Sequence, residues 1–210
     1  KVDIYNYEKE NFLNDFDRMI YVHEGPLGGL MNCAFDKLYK EVNKKGIRVL
    51  LDGTGLDEAF GGYRVHHLYY LKNLHDNKDK NFFKNRNYYS KKWQIDKDKL
   101  DQEIFNLKQN NNLVQDGSSF NQKNYTTKFM QSLINNKEEK QKKNSFNIHD
   151  QLINYITSDK IPKNTRMKDR QSMSYSIELR MPFLDHRIIE LGLSLDEKLY
   201  FKRGYTKSII

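Results

Sequence analysis

The stretch LLDGTGLDEAFGGY, residues 50–63, decides the fold. It opens with the end of a short apolar run, residues 47–51, which glycines bound on both sides and which is typical of a buried strand. Before it, apolar residues recur at steps of three and four from Leu27 to Val42, which predicts an amphipathic helix with its C-cap at Gly46. A helix, a tight turn and a buried strand make half of an α/β unit, so the sequence indicates a parallel sheet.

Two glycines, Gly53 and Gly55, follow the predicted strand, at the edge where open parallel sheets bind ligands. Without a Cβ they let the backbone approach a ligand, and free N–H groups at the start of the next helix favour an anion such as phosphate. Asp57 and Glu58 would repel a phosphate, which indicates Mg²⁺ held between a carboxylate and phosphate oxygens. The alternative is a plain turn whose carboxylates favour the helix dipole. The spacing matches neither a dinucleotide-binding G-x-G-x-x-G nor a P-loop.

A cluster of cations lies far downstream, where Arg166, Lys168 and Arg170 follow one another at alternate positions. Such a cluster can neutralise a polyphosphate or a leaving pyrophosphate, and the alternative is a solvated surface. Glu178 and Arg180 come next, in an apolar stretch, and they predict a structural ion pair or network.

Together these segments resemble the synthetase domain of glutamine-dependent asparagine synthetases. Residues 52–58, DGTGLDE, and residues 61–63, GGY, match one motif of that family. Residues 169–185, DRQSMSYSIELRMPFLD, match a longer motif position for position, and residues 204–207, GYTK, resemble the Gly-x-x-Lys that follows it. The order and approximate separation of the motifs agree as well.

The resemblance implies an α/β fold: a partial parallel-sheet ATP-pyrophosphatase domain, similar to the adenine nucleotide alpha-hydrolases and helix-rich in its second half. The whole chain would be part of one synthetase domain. Its nucleotide-binding α/β part would be residues 1–71, a variable Lys- and Asn-rich helical region residues 72–150, and a helical part with the cation cluster residues 151–210.

The resemblance also implies an activity, the ATP-dependent conversion of the aspartate side-chain carboxylate into an acyl-adenylate with release of pyrophosphate. Ammonia from glutamine would then attack the acyl carbon and give asparagine. By this resemblance Asp52 and Gly53 contact ATP, Asp57 helps to hold Mg²⁺ and pyrophosphate, and Arg170 stands where some members carry a phosphate-binding lysine. Asp57 and Arg170 are the predicted catalytic residues. The other predicted residues of the ATP site are Thr54, Gly55, Glu58, Asp169 and Lys207.

Several departures from the family pattern shape the expectation. Thr54 stands where some members carry a glutamate, and it cannot act as a carboxylate base. Neither a Ser-Gly-Gly-x-Asp-Ser pyrophosphate loop nor the N-terminal cysteine of a glutaminase occurs, and the single cysteine, Cys33, is predicted to be a buried apolar residue. We therefore expect an internal fragment of a longer protein, which by itself neither hydrolyses glutamine nor completes an ATP site. A related amidotransferase for another carboxylate, for example in surface-polysaccharide biosynthesis, and a pseudoenzyme are the alternatives.

Charge and composition bear on the partners. The chain has 210 residues and a formal charge of +8, and residues 72–150 hold 16 basic against 10 acidic residues, so most of the surplus lies there. The alternative from a different functional class is a nucleic-acid-binding module, but no RNP-like aromatic motif or zinc-ligand spacing supports it. No apolar run reaches the ~18 residues of a membrane span. We expect a cytoplasmic protein, with a homodimer as one possible state. Its expected partner is aspartate or another small carboxylate, and binding to nucleic acid or membrane is not expected.

Apolar spacing predicts further secondary structure. Polar loops are expected at residues 109–112 and 116–119. Helices are predicted at residues 63–74, 97–109, 126–134, 149–158, 172–179 and 184–195, and the start of another at residues 206–210.

Overall fold

The computed structural model describes residues 3–6, 12–25, 29, 31–107 and 147–210. The predicted helix at residues 126–134 and the predicted loops at residues 109–112 and 116–119 lie outside these residues. In chain order the elements are α1 (Phe12–His23), α2 (Met31–Lys44), β1 (Val49–Leu51), α3 (Leu56–Ala59), α4 (Arg64–Asp76), α5 (Phe82–Trp93), α6 (Lys97–Phe105), α7 (Ile148–Thr157), α8 (Lys160–Met173), β2 (Glu178–Arg180), a 3₁₀ turn (Pro182–Leu184), α9 (His186–Ser194) and α10 (Glu197–Tyr200).

A parallel strand pair organises the helices around it. β1 pairs with β2 in the register Val49↔Glu178, Leu50↔Leu179 and Leu51↔Arg180. The N–H of Asp52 donates to the Arg180 carbonyl at 2.9 Å and carries the pairing one residue further. The predicted class, α/β with a parallel sheet and many helices, is thereby confirmed.

One face of this strand pair is covered and the other is not, within the part of the chain that the structure describes. Leu50 and Leu179 pack on a buried cluster that α2 supplies together with Ile177. On the opposite face Val49 is 41% and Leu51 77% exposed. The prediction of a buried strand is therefore wrong for that face, because an apolar run buries both faces only when a layer covers each of them.

The helix predicted before β1 is confirmed from Met31 onward, while Leu27 and Leu30 at its predicted start lie outside the described residues. α2 ends at Lys44, and Gly46 has a φ of +72°, which a glycine adopts without a Cβ clash. Tyr39 and Val42 on its inner face are buried. Cys33 in the same helix is fully buried, as predicted for an apolar role.

The described residues form two compact units, Lys1–Phe60 with Ile153–Ser194, and Gly61–Leu152 with Leu195–Ile210. We call them the first and the second unit. In the first unit, α9 packs so closely on α3 that a Cβ at Gly192 would lie 2.7 Å from the Ala59 carbonyl oxygen. The three-part division of one domain stays a prediction.

The second unit has a core rich in aromatic rings. The buried His67 ring lies 4.4 Å from that of Tyr89 and 4.6 Å from that of Phe201, measured between centroids. The Tyr70 ring stacks on Phe201 at 5.0 Å. Leu100 on α6 is fully buried in the same unit. Since His67 packs among rings, its environment is that of a core side chain.

The predicted helices at residues 63–74, 149–158 and 184–195 are confirmed, and the helix predicted at residues 97–109 ends at Phe105. The helix predicted at residues 172–179 is wrong. α8 ends at Met173, Ser176 takes a φ of +55°, and β2 then pairs with β1, so strand pairing overrides the local helical spacing. The helix start predicted at residues 206–210 is also wrong, because these residues form turns. No described helix has the length and apolar character to cross a membrane.

Candidate functional site

The turn after β1 is folded by its own side chains. The Thr54 N–H donates to Asp52 Oδ1 at 2.8 Å, and the Thr54 hydroxyl donates to the same oxygen. This is the local bonding by which aspartate favours turns. The backbone N–H and the side-chain hydroxyl of Thr54 therefore both hold the Asp52 carboxylate in place at the carboxyl end of the strand.

The two glycines of the turn differ in what surrounds them. Gly55 has a φ of +101°, and a Cβ there would come within 2.5 Å of Leu184 Cδ2 and 3.1 Å of the Phe183 carbonyl carbon. This position therefore requires glycine for both its conformation and its packing. Gly53 has no atom within 4 Å of the place its Cβ would take. The space beside Gly53 is open, which is what close approach of a ligand to the backbone needs.

Lys168 on α8 brings one residue of the predicted cation cluster onto this turn. Its Nζ lies 2.8 Å from Asp52 Oδ2 and 3.0 Å from Oδ1, and it donates to the Thr54 hydroxyl oxygen at 2.8 Å. It also lies 5.2 Å from the centroid of the Phe35 ring, within cation–π range. The glycine-containing turn and Lys168, far apart in sequence, thus meet in what we call the Asp52–Thr54–Lys168 cluster.

The ionisation of Asp52 follows from these contacts. Its side chain and that of Lys168 are each 17% exposed. Burial opposes the charged carboxylate, but the hydrogen bonds from Lys168 and Thr54 outweigh it and hold the pKa of Asp52 below its usual range. The cluster is therefore an ion pair at neutral pH.

Arg170 faces another part of the first unit. Its Nη1 donates to the His23 carbonyl at 2.8 Å, and its Nη2 lies 2.7 Å from Glu24 Oε2, at the end of α1. Burial lowers the pKa of His23, and the charges of Arg170 and Arg166 lower it further. The two arginines thus lie near His23, whereas Lys168 points to Asp52.

This split follows from helix geometry. Residues four apart share a helix face, so Arg166 and Arg170 lie together, while Lys168 is about 200° away from each. Sequence reasoning treated the three cations as one cluster and did not assign Lys168 to the site. The helical period was the signal that could have separated them, once the segment was recognised as helix.

The remaining predicted site residues occupy varied environments. Glu58 on α3 is buried and Asp57 beside it is half-buried. Asp169 is exposed on α8. Lys207 belongs to the second unit and has a φ of +50°. Nothing in these positions tests their assignment to an ATP site, which stays a prediction.

A metal bound in the described part of the chain would need ligands beyond its side chains. In the described ranges no group of three or more His, Cys, Asp or Glu side chains is placed to hold an ion. Mg²⁺ commonly takes one or two carboxylates and completes its shell with water and phosphate oxygens. A half-buried carboxylate such as that of Asp57 fits this mode of binding.

Glu178 and Arg180 form the predicted ion pair, with 3.0 Å between Glu178 Oε1 and Arg180 Nε. Both side chains are more than half exposed, at 57% and 61%. The pair therefore lies on the uncovered face of β2, and its contribution to stability is that of a surface pair.

Comparison with known proteins identifies the class. A sequence model of the asparagine synthase family matches residues 3–210, nearly the whole chain. Neither the curated proteins nor the solved structures that were compared give a match. The chain belongs to the asparagine synthase family, and the predicted resemblance is confirmed. Members of this class are ATP-dependent synthetases of the amidotransferase type.

Proposed function

We propose that the protein makes asparagine from aspartate, with ATP and with ammonia derived from glutamine, through a β-aspartyl-AMP intermediate. Family membership over residues 3–210 supports ATP-dependent amide synthesis in general. The observation that carries the site assignment is the contact of Lys168 Nζ with the Asp52 carboxylate at 2.8 Å. It joins the turn after β1 to the predicted cation cluster at the carboxyl end of that strand, the usual ligand position in parallel sheets.

In this proposal each side chain has a limited part. The Asp52 carboxylate, fixed by Thr54, accepts hydrogen bonds from ATP, and the open backbone at Gly53 lets the nucleotide come close. Arg170 supplies positive charge for the leaving pyrophosphate, for which it must turn from Glu24. Charge developing on the leaving group is what such a cation stabilises, so its effect would fall on the adenylation step.

Mg²⁺ fits the proposal as a partner of the phosphates. Asp57 would supply a carboxylate oxygen to it, and the ion would neutralise phosphate charge that Asp57 and Glu58 otherwise repel. The carboxylates of α3 then stabilise the bound state rather than oppose it.

A second candidate is an amidotransferase for another small carboxylate, and Thr54 is the observation that favours it. Its hydroxyl donates to Asp52 and accepts from Lys168, so it offers no basic group where some relatives have a glutamate. Amide formation, in which ammonia attacks the activated carboxylate, would then depend on a base from elsewhere.

Carboxylate-dependent exchange of radiolabelled pyrophosphate into ATP tests the function in the protein at its natural length. We expect exchange that requires aspartate and Mg²⁺. Arg170→Ala should lower the exchange rate by about 100-fold, as for loss of one charge-stabilising group. Arg187→Ala, which removes a guanidinium from an exposed side chain paired with Asp185, is the matched control and should exchange normally.

The outcomes separate the candidates. Exchange with other acids but none with aspartate would replace the asparagine proposal by the second candidate. No exchange with any carboxylate, in a folded protein that does bind ATP, would contradict both and favour a pseudoenzyme.

A further inference from the structure

The Asp52–Thr54–Lys168 cluster contains a cation that the proposed chemistry above does not use. Lys168 Nζ contacts both oxygens of Asp52 and the hydroxyl oxygen of Thr54. All three partners sit on the turn that contains Gly53, where the space is open. An ammonium in this place is within reach of any ligand that approaches the turn.

We propose that Lys168 is an anion-binding residue of the site, which leaves Asp52 for a phosphate oxygen when the ligand binds. The inference rests on the proposed function, because it concerns the polyphosphate chain of the same ligand. Without a ligand the Lys168 ammonium pairs with the Asp52 carboxylate. With the ligand bound it would neutralise phosphate charge instead. Asp52 and the phosphate thus compete for one cation.

The exchange leaves no group without a partner. Asp52 Oδ1 keeps both hydrogen bonds from Thr54, the N–H at 2.8 Å and the hydroxyl. Oδ2, which lies 2.8 Å from Lys168 Nζ, becomes an acceptor for a hydroxyl or amine of the ligand. A phosphate oxygen replaces a carboxylate oxygen as the partner of the ammonium, so one charge-assisted hydrogen bond is exchanged for another.

Charge on the turn explains why such a cation is needed. Asp52, Asp57 and Glu58 all follow β1, and without Lys168 an incoming polyphosphate would meet a turn whose charged side chains are all acidic. The Lys168 side chain is 17% exposed, so the field of its ammonium is less screened by water than that of a surface lysine. The Phe35 ring at 5.2 Å holds the side chain near the turn while its partner changes.

The rival explanation is that Asp52 and Lys168 form a fixed structural ion pair. The two explanations predict opposite effects of Asp52→Asn on anion binding. If Asp52 competes for the ammonium, removing the Asp52 charge frees Lys168 and strengthens the binding of a simple anion. If the pair is only structural, Asp52→Asn loosens the turn and weakens the binding or leaves it unchanged. Inorganic pyrophosphate is the suitable probe, because it lacks the ribose and base that Asp52 would also contact.

The test is titration calorimetry of pyrophosphate and of ATP, each with MgCl₂, on the protein at its natural length. We expect Lys168→Met to weaken pyrophosphate binding by about 10-fold or more, as for the loss of one charge-assisted contact. Asp52→Asn should strengthen pyrophosphate binding several-fold. In Asp52→Asn/Lys168→Met that gain should vanish. Lys163→Met, on an exposed side chain of the same helix, is the matched control and should bind as the unchanged protein does.

The double variant also guards against misfolding, since it removes both charges and leaves neither one unpaired. Equal pyrophosphate binding by Lys168→Met and the unchanged protein, with equal melting temperatures, would overturn the inference alone. So would a gain from Asp52→Asn that persists without Lys168, because it would reflect simple charge repulsion. An unchanged protein that binds neither ATP nor pyrophosphate would contradict the proposed function itself.

Discussion

In the first unit, several contacts between distant parts of the sequence join charged and polar groups, whereas in the second unit aromatic rings supply much of the core. Arg18 on α1 reaches Asp36 on α2 at 3.4 Å and Tyr175 at 3.2 Å, and the Tyr175 hydroxyl donates to Asp36 at 2.9 Å. In the second unit the His67 ring packs at a tilt against the rings of Tyr89 and Phe201, each with its centroid less than 5 Å from that of His67.

The two units should therefore respond to different changes of charge, pH and side-chain size. Polar contacts such as those around Asp52 depend on charge and can be rearranged by a ligand, which suits a binding site. Aromatic packing is indifferent to charge until a group inside it must ionise. Changes of pH and of side-chain size should therefore act on the two units in different ways, and hydrogen exchange can report on each unit separately.

The largest effect is expected from His67 in the second unit. Burial lowers the pKa of His67 to about 3, while an unfolded histidine titrates near ~6.5. The unfolded state therefore binds the proton first, and stability falls as the pH drops from about 6.5 towards 3. Between pH 6.5 and 4 the loss should be about 3 kcal/mol, at ~1.4 kcal/mol for each pKa unit. Urea unfolding of the unchanged protein and of His67→Phe across this range measures it.

For this prediction His186→Gln, on an exposed side chain, is the matched control and should keep the pH dependence of the unchanged protein. Hydrogen exchange should place the acid-induced opening in the second unit. A pH dependence that is the same with and without His67 would contradict the assignment.

A smaller effect is expected from the tightest helix contact of the first unit. In Gly192→Ala the new Cβ would lie 2.7 Å from the Ala59 backbone oxygen, so α9 or α3 must shift. Overpacking of this kind costs about 2 kcal/mol. Gly25→Ala, whose Cβ would have no atom within 4 Å, should leave stability unchanged. Chemical denaturation measures both, and equal stabilities of the two variants would show that the contact can relax without cost.

The charge of Asp52 should give the first unit its own acid response. The pKa of Asp52 is lower in the folded state than in the unfolded state, where it is near ~3.9. The ionised carboxylate therefore stabilises the folded state fully above the unfolded pKa, and this stabilisation is lost as the pH falls through the folded pKa. Asp52→Asn should therefore melt at a lower temperature than the unchanged protein at pH 7, and the gap should close below about pH 4. Asp150→Asn, on an exposed side chain, should show no gap at either pH. A gap that stays constant with pH would mean that shape rather than charge matters at Asp52.

The smallest effect is expected from the pair on the uncovered face of β2. Arg180→Ala removes the contact with Glu178, but both side chains are largely exposed, and pairs of this kind contribute little. No measurable change of melting temperature is expected, at low or high salt. A clear salt-dependent drop would mean that another group covers this face.

Much of the first unit could be predicted from local spacing. The α2 helix, its glycine cap and β1 follow from apolar periodicity and from Gly46. β2 could not be predicted this way, because residues 178–180 form a strand only by pairing with β1, and local spacing there favoured a helix. The exposure of Leu51 depends on whether another layer covers that face of the sheet. The sequence of the strand itself carries no information about such a layer.

The site was predicted in part for the same reason. The motif from Asp52 to Glu58 marks the turn by itself, since glycines and acidic residues act locally. The partner of Asp52 depends on which face of α8 meets β1, and that is a property of packing. Arg170 was favoured on resemblance, whereas Lys168 is the cation that the structure places against the carboxylate.

The pairing of β1 with β2 has a consequence for how the chain is made. During synthesis, residues 52–177 must be translated after β1 before its partner strand exists. Such a contact has a high sequence separation and forms slowly, while the helices of the second unit can gather locally in the meantime. Until then the backbone groups of β1 that will pair with β2 are open to other strands. A nascent chain stalled before residue 178 should therefore depend on chaperones, and one released after residue 194 should not.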